Sequence, residues 1–200
     1  LYLTEMVENS VDLGKFPNDF IGIFWRVLSS KGQDAYLPYM QIKGGENVQL
    51  NGLAYFKDDK MVGTLKPIEI GLFMGLTGQH EGGYGAFFKI PGTEKNVLAR
   101  AGKRRVKIKT MIKDGKPEAR INIRYEVEVD EKENGINLDD PAIIRKIEEQ
   151  ANKDVSESVK RIIKQTQEDE ADIFGFGEYI RAKHPSYWNK EVKTIDHWRH

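Results

Sequence analysis

Apolar residues recur every three or four positions from Ile143 to Ile163, through Ile144, Ile147, Ala151, Val155, Val159 and Ile162. This spacing draws one stripe along an α-helix of about five turns, and such a stripe needs a surface to lie on. Asp139 or Asp140 caps its start, with Pro141 in the first turn, where a missing N–H costs nothing. Just upstream the period changes to two. Arg104–Lys113 and Lys116–Asp130 alternate apolar and polar residues on either side of Asp114-Gly115, a pair that tight hairpin turns favour. A two-residue turn there places Val106 opposite Ile123 and Ile108 opposite Ile121 on one face. The hairpin therefore has an apolar side, and it supplies the surface the helix needs.

The rest of the chain divides by the same two periods. Leu1–Ser10 is a short helix. Asn18 or Asp19, after Pro17, caps a second one through Phe20, Ile23, Phe24, Val27 and Leu28, ended by Gly32. Tyr36–Lys43 and Val48–Lys57 read as strands parted by Gly44-Gly45. Asp58-Asp59 then turns the chain into Lys60–Leu65, setting Phe56 opposite Met61 and Tyr55 opposite Val62. Val48–Lys57 is apolar on both sides (Leu50, Ala54 and Phe56 against Leu53 and Tyr55), which predicts burial on both faces. Pro67 opens a helix over Ile68–Leu76 and Gly78 closes it. Thr77–Gly85, with Gly78, Gly82, Gly83 and Gly85, is the linker candidate, and Tyr84–Ile90 and Asn96–Ala101 beyond it are strand-like. Two aromatic-rich helices, Phe176–Lys183 and Ser186–Trp198, are parted by Pro185. The expected fold class is α+β in two mixed modules, residues 1–78 and 79–200. The second is an antiparallel sheet covered by a long amphipathic helix and shorter C-terminal helices.

Composition then narrows the chemistry. Lys+Arg and Asp+Glu number 31 each, so the formal net charge is zero. The uncharged stretch Ile70–His80 is far shorter than the ~18 or more apolar residues of a membrane-spanning helix. The absence of cysteine excludes a disulfide scaffold, a thiolate metal site and a Cys nucleophile. Gly14-Lys15, Gly102-Lys103 and Gly115-Lys116 lack the upstream Gly of a phosphate loop, and neither Gly83-Tyr84-Gly85 nor Gly175-Phe176-Gly177 has the third Gly of a dinucleotide fingerprint. No Gly-x-Ser-x-Gly elbow occurs. His80-Glu81 is followed by Tyr84 where a zinc-binding helix needs its second His, and His197 with His200 has no nearby thiolate. No catalytic, cofactor-binding or metal-binding residue is assigned, and the expectation is a protein that is not an enzyme.

One charge pattern does stand out. Between Arg100 and Lys116 eight cations face a single acid, Asp114, a net charge of +7. The hairpin register sets Arg105 opposite Arg124 and Lys109 opposite Arg120, with Lys107 between them, all on the side away from the apolar face. Lys103 joins this candidate interaction surface. Like charges directly opposite on paired strands are destabilising. Two readings stay open: a solvated face relieved by salt and by Glu118 or Glu126, or a surface for anions such as lipid headgroups or an acidic partner. Nucleic acid is not expected, because no aromatic residues interleave with the cations as stacking platforms. From Glu126 to Glu170 the balance reverses, with fourteen acids against seven bases.

The last segment is the most distinctive. Ala171-Asp172-Ile173-Phe174-Gly175-Phe176-Gly177-Glu178-Tyr179-Ile180, followed by His184-Pro185 and Tyr187-Trp188, resembles the C-terminal signature of the C subunits of spore germinant receptors, the Ger(x)C lipoprotein family. Asp34–Tyr39, Leu53–Gly63, Ile70–Gly78 and the Lys-rich hairpin followed by a charged helix resemble the same family in collinear order. The resemblance implies a non-enzymatic subunit built from three mixed α/β domains. It implies export, an N-terminal lipid anchor on the outer face of the spore inner membrane, and assembly with the integral-membrane A and B subunits of a nutrient receptor. Relative to that pattern the signal peptide, lipobox Cys, first domain and final strand are not in this sequence, so it reads as the middle and C-terminal domains. An alternative within the resemblance is a module that itself binds a soluble germinant in a cleft between its domains. Phe174, Gly175, Phe176, Gly177 and Tyr179 of the signature are expected to be structural: the glycines permit tight turns, and Ile173, Phe174, Phe176, Tyr179 and Trp188 pin the last helices against the sheet.

Overall fold

The two periods in the sequence resolve into two three-stranded antiparallel sheets with helices before, between and after them, an α+β architecture. The structure is a computed structural model that describes residues 2–12, 15–18, 21–45, 47–79 and 85–200. Helices α1 (Tyr2–Asp12) and α2 (Ile21–Leu28) lead into β1 (Tyr36–Lys43), β2 (Asn47–Lys57) and β3 (Lys60–Leu65), a meander in the order β1-β2-β3. Helix α3 (Pro67–Thr77) follows. A second meander comprises β4 (Gly85–Lys89), β5 (Asn96–Lys113) and β6 (Lys116–Lys132). The long helix α4 (Pro141–Glu168) and α5 (Phe176–Lys183) complete the regular elements before the C-terminal turns. Residues 80–84 of the expected linker, and Asp19 and Phe20 at the expected start of the second helix, lie outside the described residues.

The hairpin register is as the spacing implies: Val106 pairs with Ile123 and Ile108 with Ile121. β5 runs unbroken where two strands are expected, because a bulge between Ala101 and Lys103 absorbs Gly102 without ending the ladder. In the first sheet Phe56 pairs with Met61, but Tyr55 pairs with Gly63 rather than Val62. A register shift between Tyr55 and Phe56 is the cause. A Cβ at residue 63 would lie 2.2 Å from the Tyr55 hydroxyl, so only Gly leaves room for that ring. The middle of β2, Gly52 to Tyr55, is buried on both faces as expected.

Helix α4 starts at Pro141 with the Asp140 carboxylate accepting from the Ala142 N–H at 2.8 Å. Its N-terminal half packs Ile143, Ile147 and Ala151 against Phe88, Val97 and Ala99 of the second sheet. Its C-terminal half carries Val159, Ile162 and Ile163 into the principal core. That core draws on both halves of the chain: Tyr36, Leu53, Tyr55 and Leu65 from the first sheet, Phe73 and Met74 from α3, Ile173 and Phe174 from the signature, with Ile121 and Ile123 of the hairpin against them. A third cluster joins Ile180, Trp188 and Val192 to Ile112 at the hairpin tip. The expected helix over Ser186–Trp198 is corrected by the structure. It breaks into a turn α6 (Pro185–Tyr187), a π-turn (Trp188–Val192) and α7 (Ile195–Arg199), because Lys193 takes a left-handed φ of 65° and Thr194 starts the last turn anew as its cap.

Candidate functional site

Two places gather chemistry: the outer face of the β5–β6 ribbon and the junction where the C-terminus returns to the first sheet. On the ribbon Arg105 pairs with Arg124, Lys107 with Asn122 and Lys109 with Arg120, and all six residues are exposed. Lys103 pairs with Glu126 across the ladder and forms an ion pair with it at 3.9 Å. Alternation brings these side chains to one side, because Val106, Ile108, Ile121 and Ile123 are drawn to the other by the core. Arg104 does not join them. It lies on the inner side and donates to the Met74 carbonyl near the end of α3 at 2.8 Å.

At the junction the signature turns back on itself. The Asp172 carboxylate accepts the Phe176 N–H at 3.1 Å, the Gly177 N–H at 2.7 Å and the Trp198 indole N–H at 2.8 Å. It thereby satisfies the first turn of α5, whose own cap, Gly175, is left-handed (φ 73°) and offers no side chain. Burial pushes the Asp172 carboxyl up to about 6, against the three donated bonds that favour its charged form. The Asp172 and Asp34 backbones and side chains interlock: the Asp34 N–H donates to the Asp172 carbonyl at 2.9 Å, and the Asp172 N–H to the Asp34 carboxylate at 2.7 Å. Alongside, the Glu178 N–H donates to the Gly32 carbonyl at 2.9 Å and the Ser30 hydroxyl to Glu178 at 2.6 Å.

Arg199 closes the junction. Its side chain, 2% exposed, donates to both carboxylate oxygens of Asp34, to Asp58 at 3.1 Å and to Asp196 at 2.8 Å. Nearby, Lys57 pairs with Glu170, which also meets the His200 ring at 3.2 Å, and Tyr55 donates to Asp169. The cavity beside Asp34, Asp58 and Arg199 holds about 20 Å³, room for a single water. What this arrangement can do is fasten: it ties the chain end, the signature and the loop before β1 into one unit.

Of the signature residues, Phe174, Gly175 and Gly177 are buried and Phe176 is half-buried. Phe174 is buried between Phe73 and Phe176, with ring centroids 5.7 and 5.6 Å away. Gly177 touches Gly32 back to back: a Cβ on Gly177 would lie 2.7 Å from the Gly32 carbonyl oxygen. Tyr179 departs from the expectation. It is 39% exposed, because its position on α5 turns away from the core that takes Gly177 and Ile180. The Asp34–Arg199–Asp172–Trp198 grouping joins residues far apart in the sequence. Its one local signal is Asp172 inside the signature, four residues before the N–H it caps. Among the described residues no group of three or more His, Cys, Asp or Glu could hold a metal ion, and no helix is long and apolar enough to cross a membrane.

An α+β fold closed by this junction has relatives. The family described as spore germination B3/GerAC like, C-terminal, matches residues 51–200, a span holding the ribbon, α4 and the whole signature. The chain belongs to this family of spore germination proteins. Within it the chain is similar to spore germination protein GerQC of Bacillus cereus, 29% identical over 191 residues that cover 95% of this chain and 52% of that one. It is also similar to spore germination protein B3 of Bacillus subtilis (strain 168), 27% identical over 185 residues, 90% of this chain and 44% of that one. The chain thus spans about half the length of the curated relatives it matches. Its fold is that of the crystal structure of the GerBC protein, with a TM-score of 0.72 and 23% identity over 84% of this chain and 51% of that one.

Proposed function

We propose that the protein is a non-catalytic lipoprotein subunit of a nutrient germinant receptor. In this reading an N-terminal lipid anchor holds it at the outer face of the spore inner membrane, and it acts through contacts with the integral-membrane A and B subunits. The observation that carries the reading is the family match over residues 51–200. The geometry is compatible with it: Asp34, Asp172 and Arg199 are engaged with one another, and the cavity beside them has room for a single water.

The test is co-isolation from detergent-solubilised spore inner membrane, using the full-length protein with an affinity tag. Recovery of two integral-membrane receptor subunits with the tagged protein supports the reading. Recovery of the protein alone, from the soluble fraction, overturns it.

A further inference from the structure

Five cations on the ribbon's outer face, Arg105, Lys107, Lys109, Arg120 and Arg124, have no ion pair among the described residues, although cations on either side of them do. Lys103 meets Glu126 at 3.9 Å, Lys113 meets Glu118 at 4.0 Å and Arg100 meets Asp130 at 2.8 Å. The register explains the difference: it puts Arg opposite Arg at 105/124 and Arg opposite Lys at 120/109, leaving the acids beyond each end of the row. Folding gains nothing from like charges placed directly opposite. A local rule broken without a compensating contact is where function is to be sought.

We propose that this face docks on an anionic lipid headgroup layer. The five charges lie within about four residue steps of the two-stranded ribbon, roughly 14 Å along the strands and 5 Å across. The row holds no aromatic side chain, and the large apolar residue beside it, Met111, is 37% exposed. A protein interface is centred on buried aromatic and apolar anchors, and single-stranded nucleic acid needs aromatic platforms. A headgroup layer needs neither and attracts clustered Lys and Arg. The other end of the ribbon is nearly balanced, with Glu126, Glu128, Asp130 and Glu131 against Arg100, Lys103 and Lys132. The unpaired positive charge is thus confined to the half that holds the row. This docking does not rest on the receptor reading, since lipid vesicles contain no receptor subunit.

The experiment is co-sedimentation of the 200-residue chain with vesicles of phosphatidylcholine, alone or mixed in equal parts with phosphatidylglycerol, at low and high ionic strength. The chain binds only the anionic vesicles, and salt releases it. The triple variant Lys107→Gln, Lys109→Gln, Arg120→Gln loses about a hundredfold in affinity, about fivefold per cation. A control with the same charge change on exposed positions of α4, Lys146→Gln, Lys153→Gln, Lys160→Gln, binds like the parent. Melting temperatures no lower than the parent's establish that both variants are folded. Equal binding to neutral vesicles, no binding to anionic ones, or an equal loss in the α4 control overturns the proposal. Binding to polyglutamate but not to anionic vesicles also overturns it, and assigns the face to an acidic protein.

Discussion

Replacing Arg199 by Met separates a fastening junction from a surface ion pair. The Arg199 side chain is 2% exposed and that of Asp34 3%, whereas Asp58 and Asp196 are 64% and 73% exposed. The outer pairs are screened by water and contribute little. The cost lies with Asp34. Without the guanidinium its buried carboxylate keeps the Asp172 N–H at 2.7 Å but no cation. Removing one partner of a buried ion pair costs about 3–5 kcal/mol, which lowers the Tm of a chain this size by roughly 6–20 °C. Urea and thermal unfolding followed by far-UV circular dichroism read the change directly. A double-mutant cycle supplies the control, because Arg199→Met with Asp34→Asn leaves no uncompensated charge. The double variant is therefore expected to lose less than the sum of the single losses, by more than about 1 kcal/mol. Strict additivity, or a loss below about 1 kcal/mol in Arg199→Met alone, refutes the junction as described.

Further expectations concern the same elements. Gly177→Ala forces a Cβ to 2.7 Å from the Gly32 carbonyl oxygen and 2.8 Å from the Trp198 indole nitrogen, so a loss of about 1–3 kcal/mol in chemical denaturation is expected, where an open site such as Gly92→Ala pays only for its backbone angle. Phe174→Ala costs about 3–5 kcal/mol, and Phe176→Ala, half-buried, costs less; equal losses contradict the packing order. The Asp172 carboxyl has its folded pKa raised to about 6 from 3.8, so the native state binds the proton more tightly. Its contribution to stability is greatest below about 4 and is lost as the pH rises through about 6. The stability of the parent relative to Asp172→Asn is thus expected to fall between those values, and a flat difference refutes the assignment. Arg105→Gln is expected to raise stability by about 0.2–1 kcal/mol in urea by removing a like-charge cross-strand pair, and a loss contradicts the unpaired reading of that face.

The parts of the fold legible in the sequence were those governed by local period and turn chemistry. Asp114-Gly115 set the ribbon's register, and the register alone placed Arg105, Lys107, Lys109, Arg120 and Arg124 side by side. The stripe on α4 announced a buried face, although not that its two ends serve different cores. What was hidden depended on partners far along the chain. Tyr55 meets Gly63 through a bulge that no spacing rule encodes. Lys193 adopts a left-handed φ that its residue type does not favour, held where Trp188 and Val192 pack under the hairpin tip. Arg199 reads as one more terminal cation until the fold carries it to Asp34, 165 positions away.

The central claim, that this chain works as a receptor subunit against membrane partners, is tested most directly by photo-crosslinking in intact spores. A photoreactive residue is placed in turn at Tyr179 and Lys190, exposed on the C-terminal helical segments, and at Lys107 on the ribbon. A crosslink to an integral-membrane receptor subunit is expected from at least one of these positions, with a lipid adduct from Lys107. A folded, membrane-anchored protein that gives no crosslink to any membrane protein or lipid from all three positions contradicts it.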